Sequence, residues 1–295
     1  MKIPVVFSTD HGYVMPTGVA IMSMLKVSDD CEFDIRILHD DSVTETDKQT
    51  LNKIVSSAKP LSQISFVPMG SMFVGSYEPR GIKHPAYYRL MIPWLFPDLD
   101  KVLYFDGDVI FIRSIKPLYE FYLGNNYCSG LKRFQYDGKT FGKYAKKIGV
   151  DPNGYINSGV MSFNSKLIRD ENLKEQFVFY SRKKLRYQDQ DIINIVCKNR
   201  IASIPFGFNV TSSMDIPEDE MYIIHYTGLK PWKSFVRYWY EWWEVYRQSP
   251  FYDRKLDKYI AETPMGVKLH IKLYVKRRMP KFYQFLKEMF SHIFI

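Results

Sequence analysis

Apolar and polar positions alternate between two periods along the N-terminal part of the chain. The run IPVVFS (3–8) is almost continuously apolar, as expected of a strand buried on both faces. PTGVAIMSMLKV (16–27) follows with a helical pattern opened by Pro and Thr. EFDIRILHD (32–40) then alternates as a strand, TETDKQTLNKIV (44–55) reads as a helix, and SQISFVPM (62–69) returns to strand. The βαβαβ order predicts an α/β chain with a mostly parallel, Rossmann-like central sheet flanked by helices. No G-x-G-x-x-G follows the first strand and no Walker A lysine loop is present, so two common phosphate-binding signatures are excluded.

Further along, HPAYYRLMIPWLF (84–96) is predicted as a helix and VLYF (102–105) as a short buried strand. YINSGVMSFN (155–164) reads as a turn into a strand, and YQDQDIINIV (187–196) as a loop entering a helix. MYIIHYTG (221–228) is a short strand running into a glycine turn, and SFVRYWYEWWEVY (234–246) an aromatic helix. Repeats and low-complexity linkers are absent. The expected organisation is one main domain over residues 1–250, then a basic, aromatic helical region over 251–295.

At 295 residues and 46% hydrophobic the chain can bury a sizeable core. Its 16% aromatic content suits a large core, a stacking surface or a membrane interface. Cys31, Cys128 and Cys197 are widely spaced, which argues against a disulfide framework or a Cys-ligated zinc and points to a reducing, cytoplasmic setting. MKIPVVFSTD lacks the pattern of a signal peptide and reads as a first strand. The net charge of +9 is uneven: residues 264–295 carry seven basic side chains against Glu288 alone. The asymmetry implies an anionic surface as partner for the tail and excludes a nucleic-acid coat. Lys268, Lys272 and Lys276 recur every four residues, and Phe282, Phe285, Leu286, Met289 and Phe290 continue an apolar face. That face is shorter than the about 20 residues a span requires, so it predicts a helix lying in an anionic membrane interface, or one packed on the protein.

Candidate chemistry centres on FDGDVIF (105–111). Asp-Gly between apolar runs is a hairpin signal, with Asp108 simply the residue after the turn. Alternatively, Asp106 and Asp108 face one side of an extended stretch, where their mutual repulsion is relieved by a hard cation such as Mn²⁺ or Mg²⁺. IIHYTGLKPW (223–232) adds His225 as a third possible ligand, Gly228 as a tight turn near phosphate and Lys230 as a point charge. Read separately, His225 could equally be structural.

Taken in order, D-x-D after KVLY, NSGV, YQDQDIIN and HYTG…KPW resemble glycosyltransferase family 8 over residues 3–235. These are retaining enzymes of the GT-A fold, related to lipopolysaccharide galactosyl- and glucosyltransferases and to glycogenin. The resemblance implies that Asp106, Asp108 and His225 ligate Mn²⁺, with Mg²⁺ as substitute, and that Gly228 and Lys230 hold the donor diphosphate. It further implies that Asp10 reads the uracil, Tyr13 stacks on it and Arg89 reaches the donor. Asn157, Ser158 and Asp189 match residues around the transferred sugar, and Gln190 the position beneath the anomeric carbon. The implied reaction moves galactose or glucose from UDP to a glycan or glycolipid acceptor, such as lipopolysaccharide, at the inner face of the plasma membrane. Two routes remain open: front-face attack, or a covalent step on Asp189, since the neutral Gln190 is a poor nucleophile. One residue fewer separates Gly228 from Lys230 than is common in the family, and His11 and Gly12 replace its acidic or amide residues beside the uracil. An apolar strand ending in D-x-D also resembles haloacid dehalogenase phosphatases, with Asp106 as nucleophile. A non-catalytic sugar-nucleotide binding protein of the same fold is the remaining alternative.

Overall fold

The computed structural model describes residues 2–79, 82–132 and 138–261, with Met279 and Phe282 beyond. The chain divides into two compact units, residues 1–227 and 228–295. The amphipathic helix expected over 265–295 lies outside the described residues, those two positions apart. Among the described residues no helix is long and apolar enough to cross a membrane.

The first unit is the expected α/β body. β1 (Lys2–Thr9), β2 (Glu32–His39), β3 (Gln63–Pro68) and β4 (Lys101–Phe105) run parallel in the order β3-β2-β1-β4. Val5, Val6 and Phe7 are completely buried, as a central parallel strand covered on both faces requires. α1 (Val14–Val27) begins two residues earlier than its Pro-Thr opening suggested. α2 (Glu45–Ala58) is opened by a capping box: Thr44 Oγ1 accepts from Asp47 N, and Asp47 Oδ2 accepts from Thr44 N.

Two changes of direction shape the end of the sheet where the candidate residues stand. Chain order reverses between β1 and β4, which opens a crevice at their carboxyl ends, where Asp10 and Asp106 stand. β7 (Ile156–Asn164) then pairs antiparallel with β4, so its N-terminal residues return to the crevice. β6 (Cys128–Lys132) and β8 (Ile201–Ser203) complete a seven-stranded sheet. A second sheet joins β5 (Val109–Phe111), β10 (Ile223–His225) and β9 (Val210–Thr211).

The hairpin reading of FDGDVIF is overturned. β4 and β5 do not pair with each other and belong to different sheets. Gly107 does not adopt a positive φ either; a Cβ there would lie 2.4 Å from Thr17 Oγ1 on α1. The chain does turn at Gly107–Asp108, but without a positive φ, so glycine is required here for close packing against α1.

The helix expected over 84–96 is a 3-10 segment, His84–Met91, followed by the four-residue α3 (Ile92–Leu95). Pro93, interior to the expected helix, removes a backbone donor and breaks a continuous α-helical ladder, whereas Pro85 lies in the first turn, where proline is tolerated. The other helices of the unit are α4 (Lys116–Glu120), α5 (Gly138–Lys147), α6 (Ser165–Asp170), α7 (Lys174–Ser181) and α8 (Gln188–Val196).

The second unit contains α9 (Trp239–Tyr246) and α10 (Arg254–Ala261). The aromatic helix is shorter than its pattern predicted, because Tyr238 takes a left-handed conformation at φ 62° and caps it. Trp239, Trp242 and Trp243 are at most 1% exposed, and Trp243 Nε1 donates to Pro231 O at 2.9 Å.

Candidate active site

Asp106 follows β4, Asp108 precedes β5 and His225 ends β10, so both sheets converge on one point. His225 pairs with Val109 in register, which brings its ring beside the D-x-D segment. His225 Nε2 lies 3.3 Å from Asp108 Oδ1 and 3.6 Å from Asp106 Oδ2. One ligand atom from each of the three falls within 4.8 Å of the others. Two carboxylate oxygens and an imidazole nitrogen suit Mn²⁺ or Mg²⁺. Space agrees with chemistry: a Cβ on Gly159 would approach His225 Cε1 to 2.1 Å and Asp106 Oδ2 to 2.6 Å. The cradle leaves no room for a side chain at 159, and the residues present fit a divalent cation.

Arg89 is the buried hub of the site. It reaches Asp106 Oδ1 at 2.7 Å through Nη2 and Asp189 Oδ2 at 3.0 Å through Nε. Nη1 donates to Ser158 O at 2.6 Å, and the guanidinium lies 4.3 Å over the ring of Tyr104. Burial by itself would lower the Arg89 pKa, yet Asp106 and Asp189 hold it above its ordinary value. Burial pushes the Asp189 carboxyl up to about 6, with Arg89 opposing and Asp106 reinforcing the rise. Arg89 therefore welds the carboxylate at the end of β4 to the one in the first turn of α8.

A chain of amides occupies the other side. The pairing of β6 with β7 slips between Ser129 and Leu131. Across that slip two consecutive β7 amides turn to side chains: Ser158 N donates to Gln190 Oε1 at 3.3 Å and Gly159 N to Asn157 Oδ1 at 3.0 Å. Asn157 also donates from Nδ2 to Gln190 Oε1 at 3.2 Å. Gln190 Nε2 in turn donates to Tyr155 OH at 3.1 Å, and Tyr155 OH to Asp191 Oδ1 at 2.6 Å. Asn194 on α8 bonds both the N–H and the C=O of Ile156, docking the helix on the strand as another strand would.

At the carboxyl end of β1, Asp10 Oδ1 accepts from Tyr13 N at 2.9 Å and Oδ2 pairs with Lys83 at 3.2 Å. Burial raises the Tyr13 phenol pKa, and the charges of Asp108, Asp106 and Asp10 raise it further. Tyr13 thus faces the same negative field as the metal cradle.

Gly228 and Lys230 belong to the second unit. Neither a positive φ nor a close neighbour demands glycine at 228, so the tight-turn reason for that residue is withdrawn. Lys230 O accepts from Lys233 N and Ser234 N at 2.9 Å each, which fixes the turn that carries it.

Some members of the site were not singled out in the sequence, although Tyr104 ends KVLY and Gln188 lies in YQDQDIIN. Tyr104 OH donates to Asp106 Oδ1 at 3.0 Å. Gln188 holds a left-handed φ of 51° while its Nε2 donates to Tyr77 O and Ile82 O, tying that loop to the start of α8. Asn209, fully buried, joins Asn157 and His225. For Asn209, the signal available in the sequence was the reversal of polarity within the apolar run FGFNV (206–210).

The profile of glycosyl transferase family 8 matches residues 4–235, and the chain belongs to that family. Its fold is that of GT-A glycosyltransferases: the galactosyltransferase LgtC, solved with donor and acceptor sugar analogues, superposes with a TM-score of 0.74 at 23% identity. That alignment covers 88% of this chain and 99% of LgtC. A Haemophilus influenzae protein named as a glycosyltransferase is 26% identical over 213 residues, 70% of this chain and 63% of its own length. An Escherichia coli lipopolysaccharide 1,2-glucosyltransferase is 27% identical over 253 residues, 78% of this chain and 73% of that protein. The chain thus spans somewhat less than two thirds of the Haemophilus relative. Family membership leaves the phosphatase reading of Asp106 without support.

Proposed function

We propose that this protein is a metal-dependent, retaining hexosyltransferase that moves galactose or glucose from a UDP-sugar to a glycan acceptor. The observation that carries the reading is the convergence of Asp106, Asp108 and His225 at the switch point of the sheet, bonded through Arg89 to Asp189. A bound Mn²⁺, or Mg²⁺ in its place, would neutralise the charge that develops on the departing diphosphate. Lys230 adds a cation for the same group, Asp10 and Tyr13 receive the uracil at the end of β1, and Asn157, Ser158 and Asp189 orient the sugar.

Front-face transfer is favoured over a covalent step. Gln190 Oε1 already accepts two hydrogen bonds, from Ser158 N and Asn157 Nδ2. Asp189 is held by Arg89 and is biased by burial toward its neutral form. Neither oxygen is poised as a nucleophile. The acceptor is proposed to be lipopolysaccharide or another cell-surface polymer, in keeping with the lipopolysaccharide glucosyltransferases among the relatives. The basic tail, +6 over residues 264–295, supports attachment to an anionic membrane surface from the cytoplasm.

Calorimetric titration of UDP, UDP-galactose and UDP-glucose, each with and without Mn²⁺, tests the proposal. Binding that requires metal and favours one sugar is expected, with slow donor hydrolysis alongside. Absence of binding in all arms overturns the reading, and binding without transfer or hydrolysis leaves a sugar-nucleotide binding protein.

A further inference from the structure

Hydrogen atoms decide how the His225 ring can act, and the backbone of β7 dictates where they are. A main-chain N–H can only donate. Because Gly159 N points at the Asn157 side chain at 3.0 Å, the atom receiving it must be Oδ1. The neighbouring Ser158 N–H does the same for Gln190, so its Oε1 faces Asn157 Nδ2 and the two amides agree with each other. Asn157 Oδ1, an acceptor, also meets the Asn209 side chain at 2.9 Å, so the Asn209 atom there must be Nδ2. Its remaining polar atom, Oδ1, therefore faces His225 Nδ1 at 2.9 Å and can only accept. Nδ1 must carry the proton. In the neutral ring Nε2 then presents its lone pair toward Asp106 and Asp108.

From this geometry we infer that Asn209 is a positioning residue that selects the Nδ1-protonated tautomer of His225 and so prepares Nε2 to ligate a divalent cation. The amide chain Gln190–Asn157–Asn209 couples that choice to the sugar side of the site. The inference rests on the metal-cradle reading but concerns a residue outside it. Asn209 sits at the end of a 3-10 turn, Phe206–Asn209, immediately before β9. β9 pairs in register with β10, Val210 opposite Ile224, which sets Asn209 beside the ring. Ligating histidines are usually oriented by a partner on their other nitrogen, and loss of such a partner weakens metal affinity about 10- to 100-fold. Here that partner is a neutral amide, itself oriented from the main chain.

The test reads the tautomer directly. Nitrogen chemical shifts of the His225 ring are recorded in metal-free wild-type protein where the imidazole is neutral, and Mn²⁺ affinity is measured separately by electron paramagnetic resonance without substrate. Protonated Nδ1 with bare Nε2 is expected. The opposite tautomer in the wild type overturns the inference without recourse to any variant. Asn209→Leu is expected to mix the two tautomers and to lower Mn²⁺ affinity about 10- to 100-fold. Asn209→Asp, which retains an acceptor for Nδ1–H, is expected to restore the wild-type tautomer. A folded Asn209→Leu protein with unchanged tautomer also overturns the inference. If the wild type shows the expected tautomer but binds no Mn²⁺, the metal reading fails while the orientation of the ring stands.

Discussion

On one side of Gly159 stand Asp106, Asp108 and His225; on the other stand Asn157, Ser158, Gln190 and Asn209. The first group gathers like charges and relies on a cation for its balance, with Arg89 supplying one for Asp106. The second is neutral: main-chain N–H groups that can only donate orient Gln190 and Asn157, and the Asn157 oxygen, an acceptor, orients Asn209. Charge gives the first side its chemistry and makes it sensitive to pH and metal. Hydrogen-bond direction gives the second side its rigidity and makes it indifferent to both. Gly159 lets β7, which carries Asn157 and Ser158, approach the first group, because a Cβ there would run into the His225 ring and the Asp106 carboxylate.

The widest separation of the two sides comes from Asp108→Asn. Metal-dependent donor binding should fall by more than the about 100-fold seen when only a supporting partner is lost, while circular dichroism shows an intact fold. Unchanged binding in calorimetry would remove Asp108 from the cradle.

Arg89→Met removes the one guanidinium that bridges Asp106 and Asp189. Leaving the buried Asp189 and the half-buried Asp106 without that partner should lower stability by about 3–5 kcal/mol in urea unfolding. Added Mn²⁺ should recover part of the loss, since a divalent cation binding the folded state shifts the equilibrium toward it. A loss of the same size with and without Mn²⁺ would show that the charges are not shared with the metal.

The pH dependence sharpens the contrast further. Asp189 is pushed up to about 6 in the folded chain, above its unfolded value, so the folded state keeps a proton that the unfolded chain releases. Its contribution is fully present below about pH 4 and is lost as pH rises through about 6. The loss is at most about 3 kcal/mol. Asp189→Asn should remove this slope from metal-free unfolding curves, and an identical slope in the variant would contradict the assignment.

Two glycines offer the smallest test. Gly159→Ala and Gly107→Ala should each destabilise by about 1–3 kcal/mol through overpacking. At Gly107 the obstacle is one hydroxyl, Thr17 Oγ1, so adding Thr17→Ala should relieve most of the strain. At Gly159 the obstacles are the His225 ring and the Asp106 carboxylate, and no single truncation should restore both fold and Mn²⁺ binding. A thermal-melt double-mutant cycle distinguishes the cases.

Legibility followed the range of the interactions. The strands and helices of β1 to β3 could be read because periodicity and the Thr44–Asp47 cap act within a few residues. The segment at 84–96 misled because apolar spacing outweighed the interior Pro93 in the reading. The D-x-D motif stood out, but the role of its glycine did not, because the reason lies on Thr17, far away in the chain. Asn209 was invisible, being an ordinary amide in an apolar run until β9 pairs with β10.

By itself the sequence determined the alternation of elements, the family and the residue types at the ends of β1, β4 and β10. Those follow from local periodicity and from short motifs. Tertiary structure alone decided which donors meet which acceptors: Arg89 between two carboxylates, Gly159 against His225, and Asn209 as the group that orients the ring. Periodicity states which face of an element is buried, but hydrogen bonds are directional and span tens of residues, so their partners exist only once the strands have been placed side by side.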